Sequence, residues 1–150
     1  MRATVFLTAL LPALALAACH SGGEDGPVVP GDRSDTRPYA GVAPDEELHF
    51  RGTEPFWGGE ITGNEMTYRT PARPEGLPIT VSRFNGRGGF SYSGKLDGVD
   101  FTLAVAPGQC SDGMSDRIYP FAVMLQRGEQ QQLHGCAWSK SHPFTGPAAP

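Results

Sequence analysis

The side chains of this chain that could carry chemistry gather in two short segments and at three cysteines. Gly52-Thr53-Glu54-Pro55-Phe56-Trp57 sets one carboxylate beside a proline and two aromatic rings. Cys110-Ser111-Asp112-Gly113-Met114-Ser115-Asp116-Arg117, followed by Tyr119-Pro120, collects two carboxylates, two hydroxyls and a cation. Glu54 and Asp112 could be drawn as the acid and base of a glycoside hydrolase, but a chain with 16 acidic residues offers many such pairs. Asp112 and Asp116 could chelate a hard cation, yet the segment lacks the alternating ligands and closing glutamate of an EF-hand loop. Ser115 stands in no Gly-x-Ser-x-Gly elbow, and no nucleophile and base pair is evident. As structure, the first segment reads as a turn in which Pro55 fixes φ while Phe56 and Trp57 cap one end of the core. As function, it reads as a rim with Trp57 as a stacking platform and Glu54 as its polar anchor. The second segment reads as a compact loop of Asx-type bonds with an Asp116 to Arg117 ion pair. The expectation is a non-enzymatic binding module without metal or cofactor. Its candidate binding residues are Glu54, Phe56, Trp57, Asp112, Met114, Asp116, Arg117 and Tyr119. The alternative is a metal-binding protein or envelope enzyme using Glu54, Asp112 and Asp116, with His134 as a further ligand.

The cysteines divide by address. Met1-Arg2 gives a short positive start, and Val5 to Leu16 is an apolar run broken only by Thr8 and Pro12, the pattern of a secretory signal peptide over residues 1–18. The run is shorter than the roughly 20 residues a spanning helix needs. Leu16-Ala17-Ala18-Cys19 matches the bacterial lipobox, so Cys19 is the expected lipidation site: its thiol takes a diacylglyceryl group and its freed amine a further acyl chain such as palmitate. Several chains anchor stably where a single one does not. His20 rather than Asp follows the cysteine, which implies an outer-membrane lipoprotein facing the periplasm. In that oxidising compartment Cys110 and Cys136 are expected to form a disulfide. His134, two residues before Cys136, shares its strand face and is the one hint of a metal site.

The elements that must position these groups are short and β-rich. Glu47 to Gly52, Phe56 to Thr62, Glu65 to Thr70, Ile79 to Phe84, Gly88 to Gly94, Val99 to Ala106, the Phe121-Val123-Leu125 segment and Gln131 to Ala137 read as strands. Gly63-Asn64, Asn85-Gly86, Asp97-Gly98 and Arg127-Gly128-Glu129 read as the turns between them. Pro71 to Pro78 is expected to be a proline-rich connection, and Pro107 to Pro120 a long one fixed by the disulfide. The fold expected is all-β, a small antiparallel barrel or strongly curved sheet of about eight strands, with a two-sheet sandwich as alternative. Residues 19–46 are expected to be a lipidated cysteine and flexible tether, 47–139 the β domain and 140–150 a disordered tail.

With 20 glycines and 14 prolines in 150 residues, a helical bundle or coiled coil is excluded. The net charge of -4 excludes a nucleic-acid partner bound through phosphate neutralisation. The partners expected instead are the membrane, through the lipid, and an envelope protein or small ligand.

The Gly52 to Trp57 segment, the Cys110 to Asp116 segment with Tyr119-Pro120, and Gly135-Cys136-Ala137 together resemble a family of bacterial envelope proteins described as predicted membrane proteins or lipoproteins. The resemblance covers about Leu48 to Ala137. Members sometimes look like partners of META-type domains, small β-rich envelope modules linked to stress tolerance. The resemblance implies a compartment and a fold, and no activity.

Overall fold

The computed structural model describes residues 36–147, so the expected signal peptide, Cys19 and the first part of the expected tether lie outside the described residues. Eight strands follow one another: β1 (Leu48–Thr53), β2 (Phe56–Thr62), β3 (Glu65–Thr70), β4 (Arg73–Gly86), β5 (Gly89–Leu96), β6 (Val99–Cys110), β7 (Tyr119–Arg127) and β8 (Leu133–Ser139). Each pairs antiparallel with its neighbour in the chain, and β1 pairs antiparallel with β8, which closes an eight-stranded barrel. Closure removes most of the free strand edge, with Arg73 to Thr80 of β4 paired to β3 and not to β5. It rules out the two-sheet sandwich.

Alternation of apolar and polar residues fills the interior. Phe50, Ile61, Met66, Ile79, Tyr92, Phe101, Leu103 and Phe121 are almost wholly buried. The Asp97-Gly98 turn holds both residues at positive φ, 53° and 79°, as a two-residue turn matching the strand twist requires.

Several expected boundaries move. The chain does not turn at Asn85-Gly86; these pair with Phe90 and Gly89, and the turn falls at Arg87-Gly88. Pro71 to Pro78 is mostly strand, not connection: Pro74 falls in the register shift between Tyr68 and Thr70, and Pro78 pairs with Thr67 on a part of β4 that precedes its first pair with β5, at Val81. The connection after β6 shrinks to Ser111 to Ile118, since β6 runs on through an irregularity between Pro107 and Cys110.

The described part of the expected tether is packed. Val42 is 1% exposed within the core, Tyr39 N donates to Gly86 O, and the Tyr39 and Phe90 rings stack at 5.7 Å. Arg83 fastens this segment: its Nη groups donate to the carbonyls of Val42 and Ala43, and its guanidinium lies 4.1 Å from the Phe90 centroid. The described part of the expected tail is ordered as well. Ile118 and Thr145 exchange backbone hydrogen bonds, Phe144 packs on Tyr119 and Trp138, and Ser141 N donates to Glu46 Oε1. The Ser141 hydroxyl, that amide and then Ser139 hold the Glu46 carboxyl down at about 2. Aromatic and apolar residues at Tyr39, Val42 and Phe144 carry the fold past both expected ends.

Candidate functional site

The Cys110 segment lies on the outer face of the barrel, over β8 and β1. Cys110 and Cys136 form a disulfide with Cα atoms 5.6 Å apart, tying the end of β6 to β8. Asp112 organises the loop that leads from this bridge to β7. Its carboxylate, 1% exposed, accepts from Met114 N at 3.1 Å, from Ser115 N at 2.9 Å, from Ser115 Oγ at 3.0 Å and from Tyr119 OH at 3.1 Å. Thr53 Oγ1 donates to the Asp112 carbonyl, which joins the loop to the end of β1. Burial alone would raise the Asp112 pKa; the amides of Ser115 and Met114 and the hydroxyls of Ser115 and Tyr119 outweigh it and hold the carboxyl at about 2. Arg117 donates through Nε to Pro147 O and lies 4.5 Å from the Phe144 centroid, two contacts that fasten it to the C-terminal segment.

These positions sort the expected site residues. Trp57 is not a stacking platform: it is 4% exposed, among Phe50 and Tyr68, and its Nε1 has no partner among the described residues. Gly52 explains this burial, because a Cβ there would stand 2.1 Å from Trp57 Nε1. The indole folds back across β1 only because Gly52 faces it in the register. Phe56 remains half-exposed, and Glu54 lies exposed on the turn. Met114 is 63% exposed at the loop tip, Asp116 is exposed and Tyr119 is wholly buried. The proposed pair of His134 and Cys136 as metal ligands fails, because Cys136 is bonded to Cys110. Among the described residues no three His, Cys, Asp or Glu side chains gather as a metal-holding group. Glu54, Asp112 and Asp116 therefore do not form the cluster that a metal site needs.

Three adjoining depressions mark the barrel wall beside this loop. One of about 280 Å³ is lined by Thr53, Glu54, Pro55, Gln131, Gln132, Leu133 and His134. The next, about 330 Å³, is lined by Arg51, Gly52, Thr53, Ser111, Asp112, Ala122, His134 and Gly135 among others. The third, about 430 Å³ and largely apolar, includes Phe84, Gly88, Gly89, Ala104, Ala106, Ala122, Met124 and His134. His134 lines all three, so they adjoin along β8, and together they are called the groove. Its floor is set by the strand register. Ala106 faces Ala122, Ala122 faces Cys136 and Cys136 faces Arg51, one row across four strands. Ala104, Met124 and His134 make the neighbouring row. Gly135 lets β8 approach β1 here; a Cβ on it would stand 2.1 Å from Arg51 O.

No family model, no curated protein and no solved structure matches this chain. The site must be read from its own residues. Arg51, Ser111, Ala104, Ala106, Ala122 and Met124 were not among the residues expected from sequence. Their signal was weak but present: alanines occupy outward positions of β6 and β7, where a barrel wall in water ordinarily carries polar side chains.

Chemically, the groove offers donors and apolar surface and no assembled nucleophile. Asp112 is spent on the loop: its oxygens are taken by four donor groups. Ser115 Oγ donates to that carboxylate and accepts from Arg117 N at 3.4 Å. What lines the groove besides is Arg51, ion-paired with Asp112 at 3.9 Å, the imidazole of His134, the Ser111 hydroxyl, which accepts from Gly113 N, and the alanine floor.

Proposed function

We propose that this chain is a non-enzymatic binding protein of the bacterial envelope, carried on a lipid at Cys19, that holds its ligand in the groove beside the Asp112 loop. The observation that carries the reading is the groove itself, three adjoining depressions walled by a loop held rigid on both sides. Binding sites for small or extended ligands are commonly pre-formed clefts of about 300–1,000 Å³, mostly apolar with a few placed polar groups. Rigidity of the wall lowers the entropy lost when a ligand is ordered against it. The lipobox and the resemblance to envelope proteins support the compartment; the groove supports the role. A protein partner, such as an envelope enzyme restrained in the way small lipoprotein inhibitors restrain lysozyme, is one version, and a small ligand is another.

Filling the groove tests the reading. Ala122→Arg, compared with Glu65→Arg on the opposite wall, is expected to reduce recovery of envelope components by the immobilised full chain about tenfold, a loss of roughly 1.4 kcal/mol of binding. Equal recovery by both variants would exclude the groove as the binding surface.

A further inference from the structure

We infer that the tip of the β4–β5 hairpin is a bilayer-contact surface, with Phe84 entering the lipid interface beside the point where the chain from Cys19 reaches the barrel. The inference rests on the reading of Cys19 as the lipid anchor and is independent of the ligand of the groove. Phe84 is 70% exposed, against 63% for Met114 and 50% for Phe56, the next most exposed large apolar side chains among the described residues. The register explains its isolation. Phe84 pairs with Ser91, and its neighbours along that face of β4 are Ser82 and Gly86, so no apolar side chain of the hairpin covers the ring. Placing an exposed phenyl ring in an apolar phase is favourable, and aromatic rings concentrate where membrane meets water.

The place where the anchored chain arrives selects the bilayer as what covers this ring. The 17 residues from Cys19 to Asp35 precede the described Thr36, and a chain of that length spans at most about 60 Å. Three residues further on, Tyr39 N donates to Gly86 O at 2.8 Å, two residues from Phe84, and the Tyr39 ring stacks on Phe90. Arg83, the residue before Phe84, holds the carbonyls of Val42 and Ala43. The chain from the anchor is thus fixed to the hairpin that exposes the ring. Antiparallel pairing throughout puts the β4–β5 turn at one end of the barrel and the β1–β2 and β5–β6 turns at the other. Phe56, the second exposed ring, lies at that other end, and the eight residues of β5 separate the two ends by about 26 Å. A bilayer that holds Cys19 meets the Phe84 end first.

The charge of the tip agrees with this partner. In a chain with 16 acidic residues, neither the hairpin from Gly76 to Leu96 nor the segment from Thr36 to Pro44 that it holds contains an Asp or Glu. Arg87 lies in the turn and Arg37 two residues before Tyr39, and both are exposed. Cations beside an inserted ring add attraction to anionic headgroups, and no carboxylate of the hairpin or of that segment opposes it. Glu24, Asp25, Asp32 and Asp35 of the preceding segment carry the opposite sign, so the ring and not the net charge is the anchor. Phe84 also stands at the rim of the depression of about 430 Å³, which sets that end of the groove toward the bilayer.

The full chain, purified from the cells that make it and reconstituted into vesicles of phosphatidylethanolamine and phosphatidylglycerol, tests this. An environment-sensitive fluorescent residue is placed at position 88, where an added Cβ meets nothing within 4 Å, or at position 100, beside the turn at the opposite end. Lipids brominated in their acyl chains are expected to quench position 88 and not position 100. Phe84→Ser is expected to lower the quenching at 88 about fivefold or more, the partition lost with one phenyl ring. Phe84→Trp is expected to keep it and Phe56→Ser to leave it unchanged; thermal unfolding of each variant checks that the barrel is intact. Equal quenching at both positions, quenching at 88 that survives Phe84→Ser, or quenching at neither position in protein that floats with the vesicles overturns the inference. Protein that does not float contradicts the anchor at Cys19 instead. The same measurement is then made with the chain held from residue 19 by a histidine tag on nickel-chelating lipid, and quenching at 88 that is absent there overturns the contact surface itself.

Discussion

Replacing Cys110 and Cys136 together by alanine is expected to lower the unfolding free energy by about 3.5 kcal/mol. The bridge spans 26 positions and links β6 to β8 across the whole of β7 and the loop before it. In the unfolded chain it removes the conformations in which those segments separate, and the entropy of that loss sets the magnitude. In the folded chain the strands stay paired without it, because β7 still pairs with both neighbours. The loss therefore falls on stability and not on topology. For a domain of this size it corresponds to a fall in Tm of roughly 10–20 °C. Urea unfolding of the oxidised protein and the double variant measures it directly. A change below about 1 kcal/mol would mean that the bridge does not constrain the unfolded chain in this way.

Asp112→Ala is expected to cost roughly 3 kcal/mol or more and to loosen the loop. It strands the Met114 and Ser115 amides and the Tyr119 hydroxyl, all of which now donate to one buried carboxylate. The charge itself has a pH signature. The folded carboxyl titrates at about 2, below the roughly 3.9 of an unfolded aspartate. A lowered folded pKa means that the stabilisation, about 2 kcal/mol, is fully present above about pH 4. It is lost as pH falls through about 4 toward 2, where the folded carboxyl also takes a proton. Asp112→Asn keeps the shape and removes the titration, so its unfolding free energy should change less across that window than the parent's. Parallel acid profiles of parent and Asn variant would show that another carboxylate governs the acid limb.

Period-two alternation made most strands legible in sequence, as in β6, which buries Phe101, Leu103 and Val105, and β7, which buries Phe121, Val123 and Leu125. The boundaries were less legible where a physical compensation is invisible along the chain. Pro74 and Pro78 read as breakers, yet Pro74 falls in a register shift and Pro78 on the part of β4 that pairs with β3 before pairing with β5 begins. Tyr39 and Val42 lie in the stretch read as a tether, and contacts far along the chain, from Arg83, Gly86 and Phe90, fix them on the barrel. Trp57 was visible as an unusual residue, but its direction depended on Gly52 across the hairpin. An Asx-type loop was visible in the Ser, Asp and Gly of residues 110–117, but not that Asp112 is the residue that organises it. The groove was not, because it is lined by residues from six strands whose adjacency exists only after the barrel closes.

A photo-cross-linking residue at position 124, on the groove floor, compared with one at position 65 on the opposite wall, tests the binding surface most directly in the cells that make the protein. If the groove holds a ligand, position 124 forms a discrete adduct that disappears on Ala122→Arg, and position 65 forms none. Adducts of equal yield at both positions, or an adduct at 124 that survives Ala122→Arg, would contradict it.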